Sequence, residues 1–217
     1  MRVPIIENYS KELSFVTMQI ARPLPVEREF MILNDKDRFK LVKTVEQKVR
    51  GSLEYKEYIK FLKDEIDMTS CAFFNNINRD ETPRVKFEIH HEPFTLFDIT
   101  NAVVGEFIEN NKPANPLVIA EEVMKLHYQN LVGLIPLSNT CHGLVHDGRL
   151  MVPLQCVYGD FLGFVDKYYE YIPDDVREML NEKIAMSKEI KQVDTSILNK
   201  KYVYLEVDGF TLPQKVE

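Results

Sequence analysis

Apolar positions between residues 35 and 63 (Phe39, Leu41, Val42, Val45, Val49, Leu53, Tyr58, Ile59, Leu62) recur near helical spacing. Gly51-Ser52 interrupts them, so the pattern predicts two helices or one with a break. The first 33 residues mix short apolar runs with Pro4, Pro23 and Pro25 and suit extended segments. Across 71–96, CAFF and VKFEIHH are rich in aromatic and branched residues, and NNINRDETP between them is dense in turn formers, which predicts strands around a turn. Helices follow over 98–109, capped by Asp98 or Thr100, and over 116–128, where Pro116 suits a first turn. LVGLIPLS reads as a short strand and TCHGLVHDG as a brief helix closed by Gly148. LMVPLQCV reads as another strand, 160–171 and 174–190 as helices, and KYVYLEVDGF as a final strand and turn. With no internal repeat or low-complexity linker, the fold class expected is α+β, a mixed and largely helical single domain. Its parts are an extended and helical region over 1–70, a core over 71–155, and C-terminal helices with a final strand over 156–217.

Composition narrows the class of molecule. A hydrophobic fraction of 45% over 217 residues supports a packed core and excludes wholesale disorder. No apolar run reaches the ~18 residues of a membrane span, so no membrane partner is expected. The N-terminus lacks an apolar stretch followed by a small-residue cleavage site. The three cysteines, Cys71, Cys141 and Cys156, share no C-x-x-C spacing, which argues against a disulfide framework and a four-cysteine zinc site. A cytoplasmic globular protein is the expectation.

The chemistry concentrates in the histidines. All five (His90, His91, His127, His142, His146) fall between positions 90 and 146 of the 217. His142 and His146 stand four apart in a predicted helix, so both imidazoles share a face. His90 and His91 end a predicted strand, where neighbouring side chains point to opposite sides. A strand histidine meeting the helical pair supplies three nitrogen donors and leaves a coordination position open, as a catalytic metal site requires. Taken singly, each histidine has a plainer account; His127, near a helix end, reads as a dipole-facing or surface residue. Glu88 shares a strand face with His90 and is a candidate orienting carboxylate. Glu92 reads as a solvent-facing charge at the strand end.

The segments E-I-H-H and Y-Q-N-L-V-G-L-I-P-L-S-N-T-C-H-G-L-V-H resemble the ββα-metal motif of HNH endonucleases, in the double-histidine version of the colicin-type nucleases. The resemblance covers residues 86–149 and makes 71–155 an HNH-like core with a helical insertion. It implies a single divalent metal (zinc, magnesium, manganese or nickel) held by His90, His142 and His146. It further implies His91 as the general base and Asn130 as the central asparagine that holds the loop orienting it. Asn139 competes for that last role. Three imidazoles favour zinc or a similar metal over magnesium, which prefers oxygen. The activity implied is hydrolysis of DNA phosphodiester bonds, in a chain of phage or mobile-element origin acting in the host cytoplasm.

Charge bears on the DNA partner. The net charge is −7, with 27 Lys and Arg against 34 Asp and Glu, whereas nucleic-acid binders usually carry a basic excess. Residues 35–63 nevertheless hold nine basic against five acidic side chains. Lys36, Lys40 and Lys43 share one helical face and are the candidate DNA contacts, although the interleaved acids equally suit a solvated face. Two further functions stay open. One is a non-catalytic HNH-like module that binds a protein or scaffolds a nucleoprotein assembly; the other is a three-histidine metallohydrolase of unrelated fold. A thiol nucleophile at Cys141 has little support, because a sequence-adjacent histidine seldom has the geometry of its base.

Overall fold

The computed structural model describes residues 34–78, 82, 84–190, 202–207 and 210–215, the last two stretches as backbone only. The extended segments expected over the first 33 residues lie outside these. The fold is mixed α+β, with helices and small antiparallel two-stranded sheets. It divides into two compact units, each assembled from separated stretches of chain.

The first unit comprises 34–58, Leu96–Leu131 and Leu162–Pro173. Helix α1 (Asp35–Gly51) starts where the Asn34 side chain accepts a hydrogen bond from the Asp37 N–H at 3.1 Å. Asp35 and Asp37 lie at its positive end, with Lys48 and Arg50 at the negative end. Its buried stripe is Leu41, Val42, Val45 and Val49. The expected break is built by Ser52, whose hydroxyl donates to the Val49 carbonyl and accepts from the Tyr55 N–H, so one side chain ends α1 and opens α2 (Leu53–Asp64). Helices α3 (Leu96–Glu109) and α4 (Pro116–Tyr128) pack on α1 and on each other. Helix α3 begins earlier than expected: Asp98 stands in its first turn and Thr100 is buried inside it, so neither is the cap.

His127 departs from its expected surface position. It is fully buried, with Nδ1 2.8 Å from the Val123 carbonyl and its ring packed edge-on against Tyr55 and Tyr58. Burial pushes its pKa down from 6.5 to about 4; the Val123 carbonyl opposes this and Arg50 adds to it. The unfolded chain therefore binds a proton near pH 6.5 that the folded protein refuses until about pH 4. Stability is full above 6.5 and falls with decreasing pH, by about 2 kcal/mol between pH 7 and 5. Urea titrations at these two values should show that loss in the wild type and a smaller one in His127→Phe. Equal losses would overturn the assignment.

The second unit comprises Ile59–Thr95, Val132–Phe161 and the described residues from Asp174 onward. Here the local strand reading needs correction. VKFEIHH does not pair with CAFF. Strand β1 (Ser70–Cys71) pairs with β2 (Phe74–Asn78), which runs into the expected turn. Strand β3 (Phe87–His91) pairs antiparallel with β4 (Leu134–Ser138), from Phe87↔Ser138 to His91↔Leu134. Helices α3 and α4 thus fall between two paired strands, as the insertion expected from the sequence. The Ala72 N–H donates to the Pro136 carbonyl, attaching the β1 turn to β4. LMVPLQCV is not a strand either. Residues Leu154–Cys156 form a 3₁₀ turn after Pro153, and the Leu154 N–H donates to the Ser187 hydroxyl rather than to a neighbouring strand. Helix α5 (Asn139–His146) follows β4 directly, with Ser138 as its cap and Gly148 beyond its end in the left-handed region (φ 67°). Helices α6 (Phe161–Tyr168) and α7 (Asp174–Glu189) and strands β5 (Tyr202–Val207) and β6 (Phe210–Lys215) complete the chain.

Candidate metal centre

Strands β3 and β4 and helix α5 stand in β-β-α order, and the centre is built on β3 and α5. The α5 cap aims the helix: the Cys141 N–H donates to the Ser138 hydroxyl at 3.4 Å, at the end of a fully buried strand. One turn apart on α5, His142 and His146 bring their Nε2 atoms to 3.2 Å. His90 comes up from β3, with ring centroids 5.1 Å from His142 and 5.0 Å from His146. One ligand nitrogen from each of the three lies within 4.8 Å of the others. His90 is buried, His142 half-buried and His146 exposed, so the cluster opens to solvent on its helix side.

The donor set suits a metal. Two nitrogens about 2.1 Å from one tetrahedral ion lie roughly 3.4 Å apart, close to the spacing of the α5 pair. Glu88, two residues before His90, has Oε2 3.1 Å from His142 Nδ1. An Nδ1–H donating to that carboxylate leaves Nε2 as a lone pair facing the cluster.

A second carboxylate backs His90. Glu92 is not the solvent-facing charge expected at a strand end; it is 2% exposed. Its Oε2 lies 3.6 Å from His90 Nε2, and Oε1 accepts a hydrogen bond from Lys183 of α7. A buried carboxylate needs such a cation, because an unpaired charge there would lose its hydration without return. Lys183, 91 positions downstream, carries no sequence signal linking it to Glu92.

The remaining candidates are placed differently. His91 is next to His90 on β3, so its side chain leaves the other face of the strand; it is 5% exposed and outside the three-nitrogen cluster. Asn130 terminates α4, with φ 59° and its N–H donating to the His127 carbonyl, and its buried Oδ1 has no hydrogen-bond partner among the described residues. Asn139 opens α5, exposed, and its N–H donates to the Lys86 carbonyl. On α1, Lys36, Lys40 and Lys43 are all exposed, and Lys43 also bonds Glu46 at 2.9 Å and lies over the Phe97 ring at 4.7 Å. All three cysteines are buried free thiols.

The class that the fold defines is thus an α+β protein with a three-histidine cluster on a ββα unit. Residues 3–210 match the family model of the Bacteriophage G278-like virion protein, and the chain belongs to that family. The phage association expected from the sequence agrees with this membership. No curated protein and no solved structure matches the chain. Among the described residues no helix is long and apolar enough to cross a membrane.

Proposed function

We propose that this virion protein is a metal-dependent endonuclease of HNH type, holding one divalent transition metal at His90, His142 and His146 and hydrolysing DNA phosphodiester bonds there. The observation that carries the reading is the convergence of three imidazole nitrogens from β3 and α5 within 4.8 Å, with the helix side open to solvent. Three protein donors with an open position are the arrangement of catalytic rather than structural metal sites. A metal held there supplies Lewis-acid stabilisation of the phosphate and of the departing 3′ oxygen. The protein's own groups do the rest. Glu88 orients His142, and Glu92, neutralised by Lys183, backs His90. His91 is the candidate base, taking the proton of the attacking water at a ring nitrogen. Lys36, Lys40 and Lys43 are the candidate contacts to the DNA backbone.

The burial of His91 favours a second reading, in which the ββα unit is a metal-stapled module that docks another component of the virion. The net charge of −7 points the same way. Supercoiled plasmid incubated with the protein and zinc, magnesium, manganese or nickel separates the two. Metal-dependent nicking that falls about 10²–10⁴-fold in His91→Ala, and is lost in His146→Ala, supports the nuclease. Stoichiometric metal binding without nicking under any metal rejects it and leaves the module. Nicking undiminished in His91→Ala removes that residue from the role of base.

A further inference from the structure

Cys71 ends β1 and Cys141 lies in the first turn of α5, 70 positions later, yet their sulfurs are 3.7 Å apart. Both residues are buried, at 0% and 2% exposure. Ser138 Oγ lies between the two residues, 3.6 Å from Cys71 Sγ and accepting the Cys141 N–H. Burial pushes the Cys71 thiol up, but hydrogen bonds from the Ser138 and Phe73 N–H groups, the Ser138 hydroxyl and the Cys141 thiol outweigh it and hold it below the ordinary thiol value. Two free thiols in contact, with a hydroxyl beside both, need only a small movement of the sulfurs to reach disulfide distance.

We propose that Cys71 and Cys141 are an oxidisable dithiol that closes to a disulfide with a peroxide as oxidant, stapling β1 to the helix that carries His142 and His146. The Cys71 thiolate attacks one peroxide oxygen; the O–O bond breaks, a water leaves after protonation, and Cys71 becomes a sulfenic acid. The Cys141 sulfur then attacks the Cys71 sulfur, the S–O bond breaks, and a second water leaves. Two thiols and one hydrogen peroxide give one disulfide and two waters. The dithiol loses the two electrons that the peroxide gains.

The family supplies the circumstance. A virion protein is made in a reducing cytosol and is carried out in a particle whose surroundings are oxidising. The staple rests on the sulfur geometry and on that membership, and needs no nuclease activity.

The test uses the reduced full chain exposed to hydrogen peroxide, quenched in acid, denatured without reductant, alkylated and measured by peptide mass spectrometry. The expected result is a Cys71–Cys141 linked peptide with Cys156 alone alkylated. Closing a loop of 70 residues should also raise Tm by on the order of 5 °C or more, reversibly with dithiothreitol. Cys141→Ser, checked for native circular dichroism, should show neither the link nor the rise. Alkylation of all three cysteines after peroxide overturns the proposal. So does a link through Cys156 or between two chains, sulfinic acid at Cys71 without a bridge, or a bridge that forms only in denaturant.

Discussion

Gly133→Ala is expected to destabilise the second unit by about 3 kcal/mol, lowering Tm by on the order of 10 °C. A Cβ at this position would meet the Glu92 carbonyl oxygen at 1.8 Å, the Glu92 carbonyl carbon at 3.0 Å and Val157 Cγ1 at 2.8 Å. The first two obstacles are backbone, and that backbone is held. The Glu92 N–H donates to the Gly133 carbonyl at 3.0 Å, and the Glu92 side chain is bonded to Lys183. Relief therefore means shearing β3 from β4 next to the His91↔Leu134 pair. Gly143→Ala is the matched control. It lies inside α5 with nothing within 4 Å of an added Cβ, so alanine there should stabilise by about 0.5–1 kcal/mol through helix propensity. Thermal melts of both variants decide the matter. A Gly133→Ala melt within a degree or two of the wild type would mean that Glu92 and Gly133 are not in close backbone contact.

Zinc or nickel at about a thousandfold excess over its dissociation constant should stabilise the wild type by about 4 kcal/mol, raising Tm by on the order of 10 °C. His146→Ala and His90→Ala should abolish the response, since two imidazoles make a poor site. Glu88→Ala should weaken metal binding about 10–100-fold by freeing the His142 ring from its 3.1 Å contact. His91→Ala should keep the response, because its ring leaves the opposite face of β3. This measurement is independent of catalysis. A melt indifferent to every metal, or a His146→Ala variant that responds as the wild type does, would reject the centre. A response with no plasmid nicking would keep the centre and reject only the chemistry.

Much of the local structure was legible in the chain. The apolar stripe of α1, the Gly51-Ser52 break and the start of α4 at Pro116 follow from side-chain period and terminal residues, which act within a turn or two of helix. The same holds for α5. Its closing glycine and its i, i+4 histidines are contained in seven consecutive residues, His142 to Gly148, so two of the three donors are paired by helix geometry alone. The third was less secure. Alternation on a strand says that His90 and His91 face opposite ways, but not which of them faces α5.

Two errors share one cause. Local pattern pairs VKFEIHH with the nearest strand-like segment and makes LMVPLQCV a strand on its branched residues. Strand pairing, however, is a contest between partners, and β3 took β4 across two intervening helices. Residues Leu154–Cys156 instead gave a backbone donor to Ser187, 33 positions away. His127 and Glu92 were misplaced for a related reason. Polarity in the sequence suggested solvent, but a buried imidazole satisfied by Val123 and a buried carboxylate paired with Lys183 are stable only because of neighbours the local pattern does not name.

The sequence by itself determined the α+β class, the helix that carries His142 and His146, and the strand that ends in His90 and His91, because backbone propensity and side-chain period are properties of short segments. The pairing of β3 with β4 and the choice of His90 over His91 were implied by the family resemblance and not by local pattern, whereas tertiary structure alone decided that Lys183 pairs with Glu92 and that Cys71 meets Cys141. Each of these joins residues dozens of positions apart. Such contacts are selected by which packing buries the apolar faces and satisfies every enclosed polar group at once, a condition on the whole fold rather than on any stretch of it.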